Sequence, residues 1–314
     1  MQRGETWDYS ATLQKITSHG RTIREYINHP RIHYNLRKDT VRFNKVCSSL
    51  NVLEDTCDAI GTYPELAKGR TNHELYLLIY GLLQAVYVQQ DTIRFLSDCL
   101  KVTTSLGGDR RYEDIRQVRN LVGGHPVYSE QGPTKGQSHG INQSSLSPAS
   151  FEVFSHDKGA KLIIRAFDLR KLLAAHLELV ESVLQEINRV VDQREQDHKA
   201  AFRGDKLEAC FDQYLYALEK IGEYSHFSKW GIDHLRRCVA SMEMKLKERG
   251  YGVGSLDSVD YYATRISLAL DRLQQALNRT PENKEDYGLF LDALGANLSH
   301  LTDILHEIDA EYDT

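Results

Sequence analysis

Two side chains with complementary chemistry lie close together near the middle of this 314-residue chain: Arg119 and His125, with Asn120 directly after the arginine. A guanidinium holds a phosphate through two parallel N–H donors, and an imidazole exchanges a proton near neutral pH. Cleavage of RNA by its own 2′-OH requires a base for the hydroxyl proton and a cation for the charge that develops on the phosphate oxygens. These residue types therefore fit the two roles of metal-independent RNA cleavage, and Asn120 could orient the imidazole or hydrogen-bond the phosphate.

The end of a helix would position these side chains. Apolar residues at helical spacing predict a helix over Tyr112–Val122, which the Gly123-Gly124 pair and Pro126 would end. Because the two glycines let the chain turn back, we expect His125 to approach the arginine side chain. The alternative is that these residues form only a helix cap with a capping histidine.

The motif at residues 119–126 resembles the signature of the HEPN (higher eukaryotes and prokaryotes nucleotide-binding) superfamily, in which an Arg and a polar residue are followed by a His at a helix end. Arg119, Asn120 and His125 match that signature residue by residue. The resemblance spans roughly residues 70 to 195. It implies a helical core, a homodimer whose two motifs face each other, and metal-independent endoribonuclease activity in toxin, defence or RNA-processing proteins.

Three functions stay open at this point. The first is a bacterial-type HEPN ribonuclease, as a toxin or defence component with an antitoxin or another protein as partner. The second is a non-catalytic HEPN-like nucleotide- or RNA-binding module or protein-interaction scaffold, because the glycines before His125 leave freedom in a site that catalysis needs fixed. The third is an adaptor or inhibitor in which the basic residues play no part.

Charge is distributed unevenly along the chain. The stretch from His19 to Lys45 contains seven Lys or Arg and two acidic residues, a formal charge of +5, so a total of −5 leaves −10 for the remainder. One basic face would attract a polyanion while the protein stays soluble. The predicted RNA-binding residues are Arg31, Arg37, Lys38 and Arg42. A solvated helix face followed by a loop is the alternative.

No cofactor, metal or membrane segment is expected. The five cysteines are scattered without a Cys-x-x-Cys pair, and the histidines show no His-Glu-x-x-His spacing. Gly250–Gly254 lacks the Lys-Ser/Thr of a phosphate loop, and His176, on an apolar helix face, reads as a hydrogen-bonded core residue. The polar amino terminus does not resemble a secretory signal, and the apolar run Leu75–Val88 is too short to cross a bilayer of about 30 Å. Both observations favour a cytoplasmic protein.

Helical periodicity dominates and predicts an all-α, HEPN-like helical bundle with a small inserted β-hairpin, plus a C-terminal helical bundle. We expect a domain over residues 1–203, with a mobile loop at 129–150 and a hairpin at 151–167, and a second domain over 204–314. A basic loop should follow the His29-Pro30 break. The predicted helices are Trp7–Tyr26, Val41–Ile60, Glu74–Val102, Tyr112–Val122, Leu169–Gln193, Lys206–Ile221, Gly231–Arg249, Val259–Asn278 and Asp286–Ala310.

Overall fold

A computed structural model describes residues 7–124, 136–156, 162–278 and 284–313. These residues form ten α-helices and one three-stranded sheet, which confirms the all-α class with a small β insertion. The helices are α1 (Ser10–Asn28), α2 (Pro30–Arg37), α3 (Thr40–Leu66), α4 (Asn72–Leu100), α5 (Arg110–Arg119), α6 (Leu169–Phe202), α7 (Tyr214–Gly222), α8 (His226–Glu248), α9 (Asp257–Leu277) and α10 (Lys284–Glu311).

The segment after His29 is a helix, so the predicted basic loop is wrong. Proline fixes φ near the helical value and lacks only an N–H that the first helical position does not use. Pro30 is the first residue of α2 for this reason, and the chain breaks for a single residue between α1 and α2. The basic residues Arg31 and Arg37 are therefore held on a short helix.

The sheet contains β1 (Ser138–Asn142), β2 (Ser150–His156) and β3 (Leu162–Asp168), in that order and all antiparallel. β2 and β3 are the predicted hairpin, whereas β1 lies inside the predicted loop, so the loop prediction is wrong for that strand. Alternate residues of the strands face inward, among them Phe151 and Val153, which are buried. A polar composition hid β1 from the sequence pattern.

The chain divides into two compact units. The first unit comprises residues up to Ile27 and Asp39–Val191, and the second comprises Asn28–Lys38 and the residues from Asp192 onward. This unit boundary falls inside α6, and the predicted domain boundary after residue 203 follows the end of the same helix.

In the first unit, α4 supplies much of the core. Its start is fixed by a capping box, in which Thr71 accepts the Glu74 backbone N–H and the Glu74 carboxylate accepts the Thr71 backbone N–H. The apolar face that follows is buried, together with Gln89. Gln89 accepts a hydrogen bond from His176 of α6 at 2.8 Å, which confirms that His176 is a hydrogen-bonded core residue.

In the second unit, α7 to α10 pack around their own apolar core. A buried ion pair crosses it, with Arg249 Nη1 at 2.9 Å from Asp309 Oδ1. The other carboxylate oxygen of Asp309 accepts the backbone N–H groups of Leu207 and Glu208 at 2.7 and 3.0 Å. The pair therefore joins the turn before α7 to the ends of α8 and α10.

Candidate nucleic-acid site

The arginine of the motif is the last residue of α5. That helix starts after Asp109, whose carboxylate caps it by accepting the Arg111 backbone N–H at 2.8 Å. The chain then widens into a π-helical turn over Asn120–Gly124, instead of continuing as α-helix to Val122 as predicted. Turns of this kind occur frequently at functional sites. The motif thus begins where regular helix gives way to a wider turn.

A tyrosine of α4 holds the π-turn in place. Tyr80 Oη donates to the Val122 carbonyl oxygen at 2.5 Å, and this satisfies one of the carbonyls that a helix end leaves open. Burial, together with the neighbouring Tyr76 hydroxyl, raises the pKa of Tyr80 to about 12. The phenol therefore stays protonated at neutral pH, where it positions the turn and does not act as a base.

The Arg119 side chain is half-buried and oriented by two neighbours. Its guanidinium carbon lies 4.4 Å from the centroid of the Tyr87 ring, and Nη1 donates to Asn120 Oδ1 at 3.2 Å. No carboxylate of the described residues forms an ion pair with it. Among the described residues, Asn120 Oδ1 is the one acceptor of its N–H donors. A guanidinium carries a positive charge, and its planar fork fits a phosphate.

One turn earlier, Arg116 provides the contrast. It forms an ion pair with Asp91, and its guanidinium carbon lies 4.6 Å from the ring centroids of both Tyr87 and Tyr112. Asp91 also pairs with Arg94 at 3.4 Å, so one carboxylate serves two arginines, and Tyr87 contacts both Arg116 and Arg119. Arg119 differs from Arg94 and Arg116 in having no carboxylate partner among the described residues.

The proposed base, His125, lies outside the described residues, as does Pro126. The described chain reaches Gly124, directly before the histidine, so the structure places Arg119 and Asn120 of the motif and leaves the position of His125 as a prediction.

A second histidine, missed by the sequence reasoning as a site residue, belongs to the same region of the fold. His139 lies on β1, which packs against the π-turn, and its Nδ1 is 2.8 Å from Ser155 Oγ. The ring is buried, and Nε2 has no hydrogen-bond partner among the described residues. Burial, and then the charge of Arg165, lower the pKa of His139, so this imidazole is neutral at pH 7. The sequence of β1 is polar apart from Ile141 and offered no signal for this residue.

The four basic residues predicted to bind RNA do not share one unit. Arg31, Arg37 and Lys38 belong to the second unit, and Arg42, which donates to a backbone carbonyl of α4, belongs to the first. Arg31 forms an ion pair with Glu195 and is only 13% exposed, so its charge is neutralised. Arg37 and Lys38 line a cleft in the second unit.

Within the part of the chain that the structure describes, no group of three or more His, Cys, Asp or Glu side chains could hold a metal ion. In the same ranges, every helix is too short or too polar to span a membrane. Comparison of the chain with known proteins finds no matching family model, no matching curated protein and no matching solved structure.

Proposed function

We propose that this protein is a metal-independent endoribonuclease of the HEPN type. The observation that supports this most is the state of Arg119: its guanidinium is oriented by Tyr87 and Asn120, and no described carboxylate neutralises it. A cation held in place before the substrate arrives stabilises developing charge without reorganisation at the moment of reaction. Arg119 also stands six positions before His125, the proposed proton carrier.

In the proposed reaction, His125 takes the proton of a ribose 2′-OH, and the 2′-oxygen forms a bond to the adjacent phosphorus. The bond from phosphorus to the 5′-oxygen breaks, and that oxygen receives a proton from the imidazolium of a His125 side chain. Arg119 binds the non-bridging oxygens while negative charge builds on them, and Asn120 orients the phosphate or the imidazole. The products are a 2′,3′-cyclic phosphate and a 5′-OH, so atoms and charge balance without a metal.

The proposal includes the assembly that the resemblance implies. Two copies would bring their motifs together in a homodimer in the cytoplasm, and RNA would bind across both. As a toxin or defence component, the enzyme would be restrained by an antitoxin or another protein partner.

The test uses a fluorescently labelled RNA in buffer with EDTA, and the purified full-length chain. Wild type should cut the RNA. His125→Ala should lower the cleavage rate at least about a hundredfold, which is the contribution typical of general acid–base catalysis. Arg119→Lys should also lower the rate, because lysine lacks the two parallel N–H donors of the guanidinium. Matched controls are His73→Ala and Arg110→Lys, which change exposed residues of the same unit and should cut normally. Equal RNA survival with wild type and His125→Ala would overturn the proposal.

A second candidate is a non-catalytic RNA-binding protein or scaffold, favoured by Arg37 and Lys38, which form no ion pair with a described carboxylate. It predicts that fluorescence anisotropy detects RNA binding without turnover. Changing both residues to alanine would then weaken RNA binding steeply, while His125→Ala would not, and the loss would depend on salt.

A further inference from the structure

The second unit contains a cleft of about 800 Å³. One wall is α2, the other is the segment Gly254–Val259 at the start of α9, and Ile304 and Ile308 of α10 also line the cleft. Pockets that bind small molecules in proteins usually enclose about 300 to 1,000 Å³. The cleft therefore has room for a ligand of the size of a nucleotide.

Cationic side chains of α2 line this cleft. Arg37 is exposed, and Lys38 Nζ lies 4.4 Å from the Tyr34 ring centroid and 2.9 Å from Asn35 Oδ1. Neither forms an ion pair with a carboxylate of the described residues, so Lys38 is ordered without being neutralised. His33 also lines the cleft, and one carboxylate, Asp257, does so from the opposite wall. The two cations of α2 thus face one carboxylate across the cleft.

The wall formed by the start of α9 adds partial positive charge to the cleft. The residue before this helix, Leu256, has no side-chain acceptor, and the backbone N–H groups of Asp257, Ser258 and Val259 have no acceptor among the described residues. Unsatisfied amides at a helix start carry partial positive charge. An anionic group in the cleft would therefore meet side-chain cations on one wall and amide donors on the other.

Apolar side chains determine the rest of the ligand. Pro30 and Ile304 line the cleft with accessible apolar surface, and the buried side chains of Ile308 and Val259 lie behind them in the core. A free phosphate or a sugar phosphate would leave this apolar surface without a partner, whereas a flat ring attached to the phosphate would cover it. The chemistry is that of a phosphomonoester carrying a heterocycle.

The walls are fixed relative to each other before any ligand binds. Asn35 Nδ2 donates to the Gly250 carbonyl oxygen at 2.9 Å, and a Cβ on Gly252 would lie 2.0 Å from Tyr34 Cζ. A side chain at position 252 would therefore require the Tyr34 ring to move. Because α2 is docked in this way, binding would not have to order the site, which favours affinity.

We propose that this cleft binds a nucleoside monophosphate, with its phosphate between Arg37, Lys38 and the start of α9 and its ring over Pro30 and Ile304. This site lies in a different unit from Arg119, so it does not depend on the proposed cleavage. It would make the second unit a sensor of small phosphorylated molecules.

Isothermal titration calorimetry on the full-length chain tests the proposal, with adenosine 5′-monophosphate, adenosine, inorganic phosphate and a short RNA as probes. The monophosphate should bind more tightly than adenosine or phosphate alone. Arg37→Ala and Lys38→Ala should each weaken it about tenfold or more, the loss of one charge-assisted hydrogen bond. Asp257→Asn should strengthen it. The matched controls Arg237→Ala and Lys229→Ala, at exposed cations of the same unit outside the cleft, should bind like wild type.

Circular dichroism verifies that each variant is folded. Absence of monophosphate binding at millimolar concentration would overturn the proposal, and so would equal affinity for adenosine, binding of the RNA alone, or equal losses in the control variants. RNA cleavage by the same preparations is a separate readout, so the two proposals fail independently.

Discussion

Replacing His176 by glutamine should remove a steep acid dependence from the stability of the first unit. The ring is fully buried on α6, with Nε2 at 2.8 Å from Gln89 Oε1, so Nε2 carries the proton of a neutral imidazole. The Gln89 amide in turn donates to Thr56 Oγ1 at 3.1 Å. Burial lowers the pKa of His176 from 6.5 to about 3, because no described group compensates a charge there.

The magnitude follows from proton linkage. Between pH 6.5 and 3 the unfolded chain binds a proton at this histidine that the folded chain does not, so acid favours unfolding. Each pH unit in that window contributes about 1.4 kcal/mol, and the loss between pH 7 and pH 5 is therefore about 2 kcal/mol. The neighbouring Cys57 does not interfere, since burial raises the pKa of its thiol to about 11.

Urea unfolding at pH 7 and pH 5 measures this contribution. Glutamine keeps an amide donor for Gln89 without titrating, so the stability lost between the two pH values should be about 2 kcal/mol smaller in His176→Gln than in wild type. Carboxylates that titrate in both proteins cancel in this comparison. The control His73→Gln, at an exposed histidine of the same unit, should keep the wild-type dependence. The reasoning is refuted if His176→Gln and wild type lose the same stability on acidification.

Three further changes have defined outcomes in unfolding experiments. Asp309→Ala leaves Arg249 charged and unpaired in the core, so we expect a loss of about 3–5 kcal/mol; a loss below 1 kcal/mol would mean that water reaches the pair. Gly252→Ala forces Tyr34 to move away from a Cβ at 2.0 Å, and overpacking of this kind costs about 1–3 kcal/mol; an unchanged midpoint would contradict the contact. Thr71→Ala removes the cap of α4 at a cost of about 1 kcal/mol, which hydrogen exchange should detect as faster exchange in the first turn of that helix.

Local patterns made much of the fold predictable. The predicted helix Glu74–Val102 is confirmed as α4, because its capping box and its apolar stripe both depend on residues close together in the sequence. His176 on the stripe of α6 was predictable for the same reason. The hairpin of β2 and β3 followed from β-branched and aromatic residues on both sides of a turn-forming segment.

Long-range contacts account for most of what the sequence left out. Pro30 starts α2 by a local rule, but the docking of this helix through Tyr34 against Gly252, more than two hundred residues away, has no counterpart in the local sequence. Arg31 counts as a free cation in any tally of charge, and its ion pair with Glu195 is visible only in the fold. In both contacts, the two residues lie far apart in the sequence, so a short stretch of sequence does not contain both partners.

At the candidate site, residue type and spacing led to Arg119 and Asn120, and the structure adds what orients them. No pattern in the neighbouring residues predicts the π-turn after α5 or the position of the Tyr87 ring at the Arg119 guanidinium. His139 escaped notice because β1 is a polar strand whose inward residues are set by pairing with β2.

The central claim is that this chain cuts RNA through the substrate's own 2′-OH, with Arg119 on the phosphate. The most direct measurement compares an RNA with the same sequence fully methylated at the 2′-oxygen, both incubated with wild type in EDTA and analysed for product ends. The account predicts cleavage of the unmodified RNA alone, with 2′,3′-cyclic phosphate and 5′-OH ends. Cleavage of the methylated strand, or no cleavage of either strand, would contradict it.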